Sequence, residues 1–221
     1  MSPHRITKKE MKEDKFVTFT FKLSEWIQKH LNELLMGAGG VILVVVVVFF
    51  IFSSQAKRER NASELLGKAN LALQVGNTGE AVGNLQTIVN KYGGTKSAGP
   101  ASFLLASAYF YAKDYVQAQS FFEKYLEKYK EDVLLTASAQ AGIADCHMQR
   151  GNFVQAGEDF LDAVSLNPQS FLAPQYLLQA AFAYLKADQK DKAREVLNKL
   201  ISEYPDSQEV HQAKILLTEN R

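Results

Sequence analysis

Two hydrophobic patterns divide this chain. From Leu34 to Phe52 (LLMGAGGVILVVVVVFFIF) every position is apolar or glycine, and the uncharged stretch runs on through Ser53, Ser54, Gln55 and Ala56 before Lys57 ends it. About twenty apolar residues let a helix cross about 30 Å of hydrocarbon. At about −0.3 to −0.6 kcal/mol for each Val, Ile, Leu or Phe, Val41–Phe52 favours insertion by several kcal/mol. The valines would prefer a strand in water, but a lone strand in lipid leaves its peptide groups unpaired, whereas a helix pairs them internally. The pattern predicts one transmembrane helix over 34–56. Ser54-Gln55-Ala56 offers a small-x-small cleavage pattern, but the long lead before the apolar run does not suit a signal peptide. An apolar stripe on every face does not suit a core helix either.

Before this run, Met1–Asp14 is polar and dense in charge and reads as a solvated tail. Phe16–Phe21 mixes alternation with aromatic content. From Leu23 the spacing turns helical, with Leu23, Trp26, Ile27, Leu31, Leu34 and Leu35 on one face and Glu25, Gln28, Lys29 and Glu33 elsewhere. Residues 1–33 are thus a polar tail and an amphipathic juxtamembrane segment, with Trp26 as a membrane-interface anchor. The alternative is that the segment extends the membrane helix into water.

Past Asn61 the second pattern begins, and it repeats. Small residues recur at Ala81, Ala118, Ala156 and Ala193, spaced 37, 38 and 37 apart. Twelve positions before each stands another, Ala69, Ala106, Ala144 and Ala181; four positions after stands a large apolar one, Leu85, Phe122, Phe160 and Leu197. Between the two small residues lie Gly76-Asn77, Lys113-Asp114, Gly151-Asn152 and Asp188-Gln189, which read as helix–helix turns. Pro168 and Pro205 end helices they cannot continue. Paired antiparallel helices explain the spacing: matched small residues permit close approach, and the large residue fills the next layer. One pair cannot bury its face alone, so units must stack.

These units resemble tetratricopeptide repeats, with three or four residues added relative to the usual unit of about 34. Ile143-Ala144, His147, Gly151-Asn152-Phe153, Ala156, Phe160, Ala163 and Pro168 carry the resemblance best. The expected fold is all-α: a single N-terminal transmembrane helix followed, over 57–221, by a tetratricopeptide-like helical-hairpin solenoid of about four repeats. Ser207–Glu219 would be a capping helix, offering Val210, Ala213, Ile215, Leu216 and Leu217 for burial.

Composition narrows the function classes. Among 221 residues, 25 are basic and 24 acidic, a formal net charge of +1 that argues against nucleic-acid binding. The one cysteine, Cys146, excludes an internal disulfide and lies far from any lipid-attachment position. Charge does not fix orientation: Lys57, Arg58, Arg60 and Lys68 flank the C-terminal side closely, while the whole N-terminal tail holds seven Lys or Arg. Long domains are exported largely regardless of charge, so the favoured reading is N-terminus in, repeats out.

A charged tail, one glycine-containing membrane helix and divergent repeats, together with the segment Asn90–Tyr109 (NKYGGTKSAGPASFLLASAY), resemble the ancillary subunit of the bacterial Sec translocon. The resemblance implies an inner-membrane, single-pass protein with a cytoplasmic N-terminus and a periplasmic repeat domain. Its expected role is a non-enzymatic protein–protein interaction scaffold whose partners are translocon subunits, envelope chaperones or exported chains. The alternatives are a scaffold for assembling or positioning another cell-envelope machine (cell division, secretion, outer-membrane biogenesis) or, with topology inverted, a cytosol-facing docking receptor.

The concave face of such a solenoid is lined by the first helix of each pair. Projection places Asn70, Leu73, Phe103, Ser107, Phe110, Tyr111, Asp145, Met148, Gln149, Leu178, Phe182 and Leu185 there. The candidate peptide groove is Phe103, Phe110, Tyr111, Met148, Leu178 and Phe182, since aromatics and Met suit an apolar segment; the competing reading is packing against neighbouring helices. A C-terminal carboxylate clamp is not expected, because Leu66, Leu104, Ser138 and Gly142 occupy positions its polar residues would need. No catalytic, cofactor-binding or metal-ligating set is expected. Cys146 and His147 are neighbours about 100° apart on a helix, and His147 occupies the position of Tyr109 and Tyr184. Asp159 with Asp162, and Glu123 with Glu127, read as solvated pairs.

Overall fold

The computed structural model describes residues 8–220 and places ten helices and no strand among them. These are α1 (Lys8–Lys29), α2 (Leu31–Gln74), α3 (Thr78–Lys91), α4 (Ala98–Tyr111), α5 (Tyr115–Lys128), α6 (Val133–Gln149), α7 (Phe153–Leu166), α8 (Ala173–Lys186), α9 (Lys190–Glu203) and α10 (Glu209–Glu219). The chain divides into two compact units, Met1–Ala56 and Lys57–Arg221.

In the first unit, helix begins at Lys8, inside the stretch expected to be a solvated tail; residues 1–7 of that tail lie outside the described residues. Lys8–Asp14 contains neither Gly, Pro nor a β-branched residue, and Lys, Glu and Met all favour helix. The Val-rich run is helical, and from Val41 to Phe52 its side chains are 44–75% exposed. By length and composition α2 is able to cross a membrane.

The second unit is a stack of helical hairpins: residues 57–74 of α2 with α3, then α4 with α5, α6 with α7, and α8 with α9, closed by α10. All eight matched alanines (Ala69, Ala106, Ala144, Ala181, Ala81, Ala118, Ala156, Ala193) are fully buried. The large partners Leu85, Phe122, Phe160 and Leu197 are buried beside them, each contributing about 1.5–3 kcal/mol. From α3 onward each helix packs on the next, and α10 packs on both α8 and α9. Val210 and Ala213 of α10 are buried and Leu216 and Leu217 half-buried, but Ile215, offered for burial by its apolarity, remains 42% exposed.

Each hairpin turns the same way. The Gly76, Lys113, Gly151 and Asp188 amides donate to the carbonyls of Leu73, Phe110, Met148 and Leu185, and the next amide in each turn donates to Ala72, Tyr109, His147 or Tyr184. That bond pair closes a helix with a left-handed residue, and φ at the four positions is +76°, +63°, +82° and +57°. Glycine takes this conformation freely; Lys113 and Asp188 hold it against Cβ crowding. The residue that ends one helix then begins the next. Asn77 and Asp114 accept the amides of Glu80 and Gln117 at 3.3 and 3.1 Å, satisfying otherwise orphaned helix donors.

Repeats are tied along the stack by tyrosines that reach back one unit. The Tyr129 hydroxyl donates to the Gly93 carbonyl at 2.9 Å, and Tyr204 donates to Pro168 at 2.7 Å. Pro168 and Pro205 stand just past the ends of α7 and α9, where they cost no helical hydrogen bond.

Candidate functional site

Between the second and third hairpins lies a groove of about 190 Å³. Helix α4 contributes Phe103, Ser107, Phe110 and Tyr111; α6 contributes Ser138, Ala141, Gly142 and Asp145; Phe122 and Tyr176 close it from α5 and α8. On α4, Phe103, Ser107 and Phe110–Tyr111 are spaced three to four apart, which places them on one face. Phe103 and Phe110 are half-buried, whereas Tyr111 is 83% exposed. The rings pack edge to face, Phe103 on Phe122 at 5.5 Å and Phe110 on Tyr115 at 5.4 Å, a preferred aromatic geometry.

Gly142 permits the groove wall to form. A Cβ there would meet the Phe122 ring at 2.5 Å, so the ring keeps its present place against α6 because this position has no side chain. Ser138 and the Tyr176 hydroxyl lie 3.1 Å apart and bond across to α8.

Asp145 is the one charged group lining the groove, and among the described residues it has no hydrogen-bond or ion-pair partner. Burial pushes its carboxyl up to about 6, because removing water disfavours the charged form and no cation offsets the loss.

Of the six groove residues expected from the sequence, Phe103, Phe110 and Tyr111 come together here. Leu178 is 7% exposed within the core of the last repeats, a cluster that includes Val210 and Ala213 of α10; Met148 and Phe182 pack half-buried against it. Asp145 and Ser107 fall in the groove as projected. Tyr176 escaped the sequence reading: it stands five positions before Ala181, where the preceding repeat has only Ala139, so the repeat pattern gave no sign of a groove residue there. Trp26, in the other unit, is half exposed and stacks on His30 at 4.9 Å between ring centres.

Cys146 and His147 do not form a nucleophilic pair. Burial is the main force pushing the Cys146 thiol up to about 12, and a thiol rather than a thiolate is a poor nucleophile. His147 Nδ1 instead meets Asp159 Oδ2 at 2.6 Å, and Gln140 and Gln155 donate to Asp159 Oδ1 at 3.3 and 3.2 Å. Asp159 is therefore not solvated as its spacing with Asp162 suggested; it is 6% exposed and ties α6 to α7. The equivalent Tyr109 accepts a bond from Gln86 of α3 at 2.6 Å, so this position ties helices together in both cases, within a hairpin at His147 and between neighbouring hairpins at Tyr109. No metal-ligating cluster occurs among the described residues.

A larger cleft of about 370 Å³ lies around Gly93, Lys96, Tyr129 and Asp132. Two of its polar side chains are already engaged: Tyr129 binds the Gly93 carbonyl and Asp132 caps α6 through the Leu135 amide. Beside it, Glu59 accepts both the Lys96 amide at 2.6 Å and the Ser97 hydroxyl at 2.7 Å. The start of α4 is thus filled by a carboxylate of the chain itself.

Family models described as tetratricopeptide repeat match residues 66–133, 105–171 and 175–207. The chain belongs to the tetratricopeptide-repeat family. Its fold is similar to that of a tetratricopeptide repeat protein from Parabacteroides merdae (TM-score 0.61, 14% identity, 73% of this chain and 60% of that one). It is also similar to the apo form of RapI (TM-score 0.60, 15% identity, 72% and 61%) and to MamA (TM-score 0.54, 17% identity, 65% and 73%). At these identities the similarity extends to the fold alone. No curated protein matches the chain. Tetratricopeptide repeats characteristically bind other proteins, and the aromatic groove is the described feature of this repeat domain best suited to that role.

Proposed function

We propose that this protein is a membrane-anchored interaction scaffold that holds partner proteins in the groove of its repeats. Its repeat domain works outside the cytoplasm, beside the Sec translocon or with envelope chaperones handling exported chains. The observation that carries the reading is the apolar stretch of α2, whose most apolar window is nowhere buried within the protein. Such a surface in water is a strong drive toward lipid. The aromatic segment before it, with Phe16, Phe19, Phe21 and Trp26 all more than half exposed, suits the membrane interface.

Fusing to Arg221 a reporter enzyme active only after export tests the placement. Activity supports an exported repeat domain. An inactive fusion, with a cytosol-active reporter working at the same site, overturns it in favour of a cytosol-facing receptor, which the basic flank Lys57, Arg58 and Arg60 would suit. Cross-linking from the groove then separates translocon partners from those of another envelope machine.

A further inference from the structure

We infer that the groove selects its partners by a basic side chain: an arginine or lysine of a bound peptide segment enters among Phe110, Tyr111 and Tyr176 and pairs with Asp145. The inference rests on the scaffold reading and specifies what the scaffold recognises.

A carboxylate removed from water without a partner is costly, and the cost falls when a cation arrives. Asp145 is held partway to that condition by the fold: it is half-buried at the groove and, among the described residues, has no partner. No lysine or arginine lines the groove; the other titratable groups there are the phenols of Tyr111 and Tyr176. Tyr176 is bonded to Ser138, and burial pushes its phenol up, so it does not compete for the charge. Ring faces attract cations, most strongly for guanidinium over an electron-rich ring. An acid surrounded by aromatics therefore favours a long basic side chain and rejects an acidic one. The groove at about 190 Å³ holds a side chain of an extended or helical segment, not a folded domain. Its open lip at Tyr111 leaves a path for the peptide backbone.

The upward shift of Asp145 supports the pairing. With its carboxyl at about 6, the site is mostly ionised at pH 7 and mostly neutral at pH 5, so basic-peptide binding weakens as pH falls through that range.

The test uses the full chain in detergent micelles on an array of twelve-residue peptides whose central position carries each amino acid in turn. Wild type is expected to bind peptides with central Arg or Lys roughly tenfold more tightly than those with citrulline, Glu or Asp. Asp145→Asn should erase that preference while retaining the helical circular dichroism, since Asp145 has no bond to lose. Tyr111→Ala, at an exposed site, should weaken Arg peptides without favouring acidic ones. Peptide binding with no basic preference, or the same preference in Asp145→Asn, overturns the inference and leaves the scaffold reading standing. No binding to any peptide overturns the inference and the groove as a peptide site together, and leaves the topology of the repeat domain to its own test.

Discussion

Helix α6 carries two polar residues of interest on two of its sides, and they contrast sharply. On the groove side, Asp145 is half-buried and has no partner among the described residues. On the side facing α7, His147 engages Asp159, and Asp159 is more deeply buried yet receives three hydrogen-bonding partners. A fully satisfied buried carboxylate fixes one helix on another. An unsatisfied one at an open groove is a place the fold leaves incomplete, and what completes it has to come from outside. The two aspartates differ in bonding rather than in chemistry, and that difference separates architecture from recognition.

The strongest way to break the contrast is Asp159→Ala. It strands the half-buried His147 and Gln140, while exposed Gln155 can turn to water, and removing one partner of such a network costs about 2–4 kcal/mol. The urea midpoint of the full chain in micelles should fall by that amount divided by an unchanged slope; a loss under about 0.5 kcal/mol would show the network to be idle. Next comes Gly142→Ala, whose new methyl group collides with three atoms of the Phe122 ring. Overpacking of this kind costs about 1–3 kcal/mol. It should also push Phe122 into the groove, so stability and peptide affinity fall together; an unshifted midpoint would mean the ring has room to move.

Asp145→Asn sharpens the contrast in the opposite direction. Because the folded carboxyl keeps its proton to about pH 6, against a reference of 3.8, the folded state binds more protons between those values and stability falls as pH rises through them. The loss at pH 7 is at most about 3 kcal/mol. Asparagine removes it, so the variant should be about 1–2 kcal/mol more stable than wild type at pH 7, with the gain fading below about pH 4. A destabilised variant at pH 7 would mean that Asp145 has a bonding role in the fold.

The hairpins were legible because their information is periodic. Spacings of 37 and 38 residues fixed all eight buried alanines, their large partners and the four turns, and each depends only on neighbours within one hairpin. The groove was half legible for the same reason. Phe103, Phe110 and Tyr111 lie on one face of one helix, and local spacing identifies that face. Leu178 and Phe182 follow the same spacing on α8, yet α10 packs onto that helix and the last repeats draw them into the core. Local periodicity gives the face of a helix but not what will cover it. Asp159 went astray similarly: an acidic pair three apart on one helix looks solvated until His147, twelve residues earlier, is brought against it.

The sequence by itself determined the membrane-length apolar helix, the all-helical repeat, its register and the places of its turns, because hydrophobic spacing and turn propensity act over a few residues. Only the tertiary structure decided which polar groups are satisfied and which are not. Asp145 and Asp159 are alike in the sequence. Whether each one's oxygens meet an amide, an imidazole or an open groove depends on how neighbouring helices stack, and burial and bonding are properties of that stacking rather than of either residue.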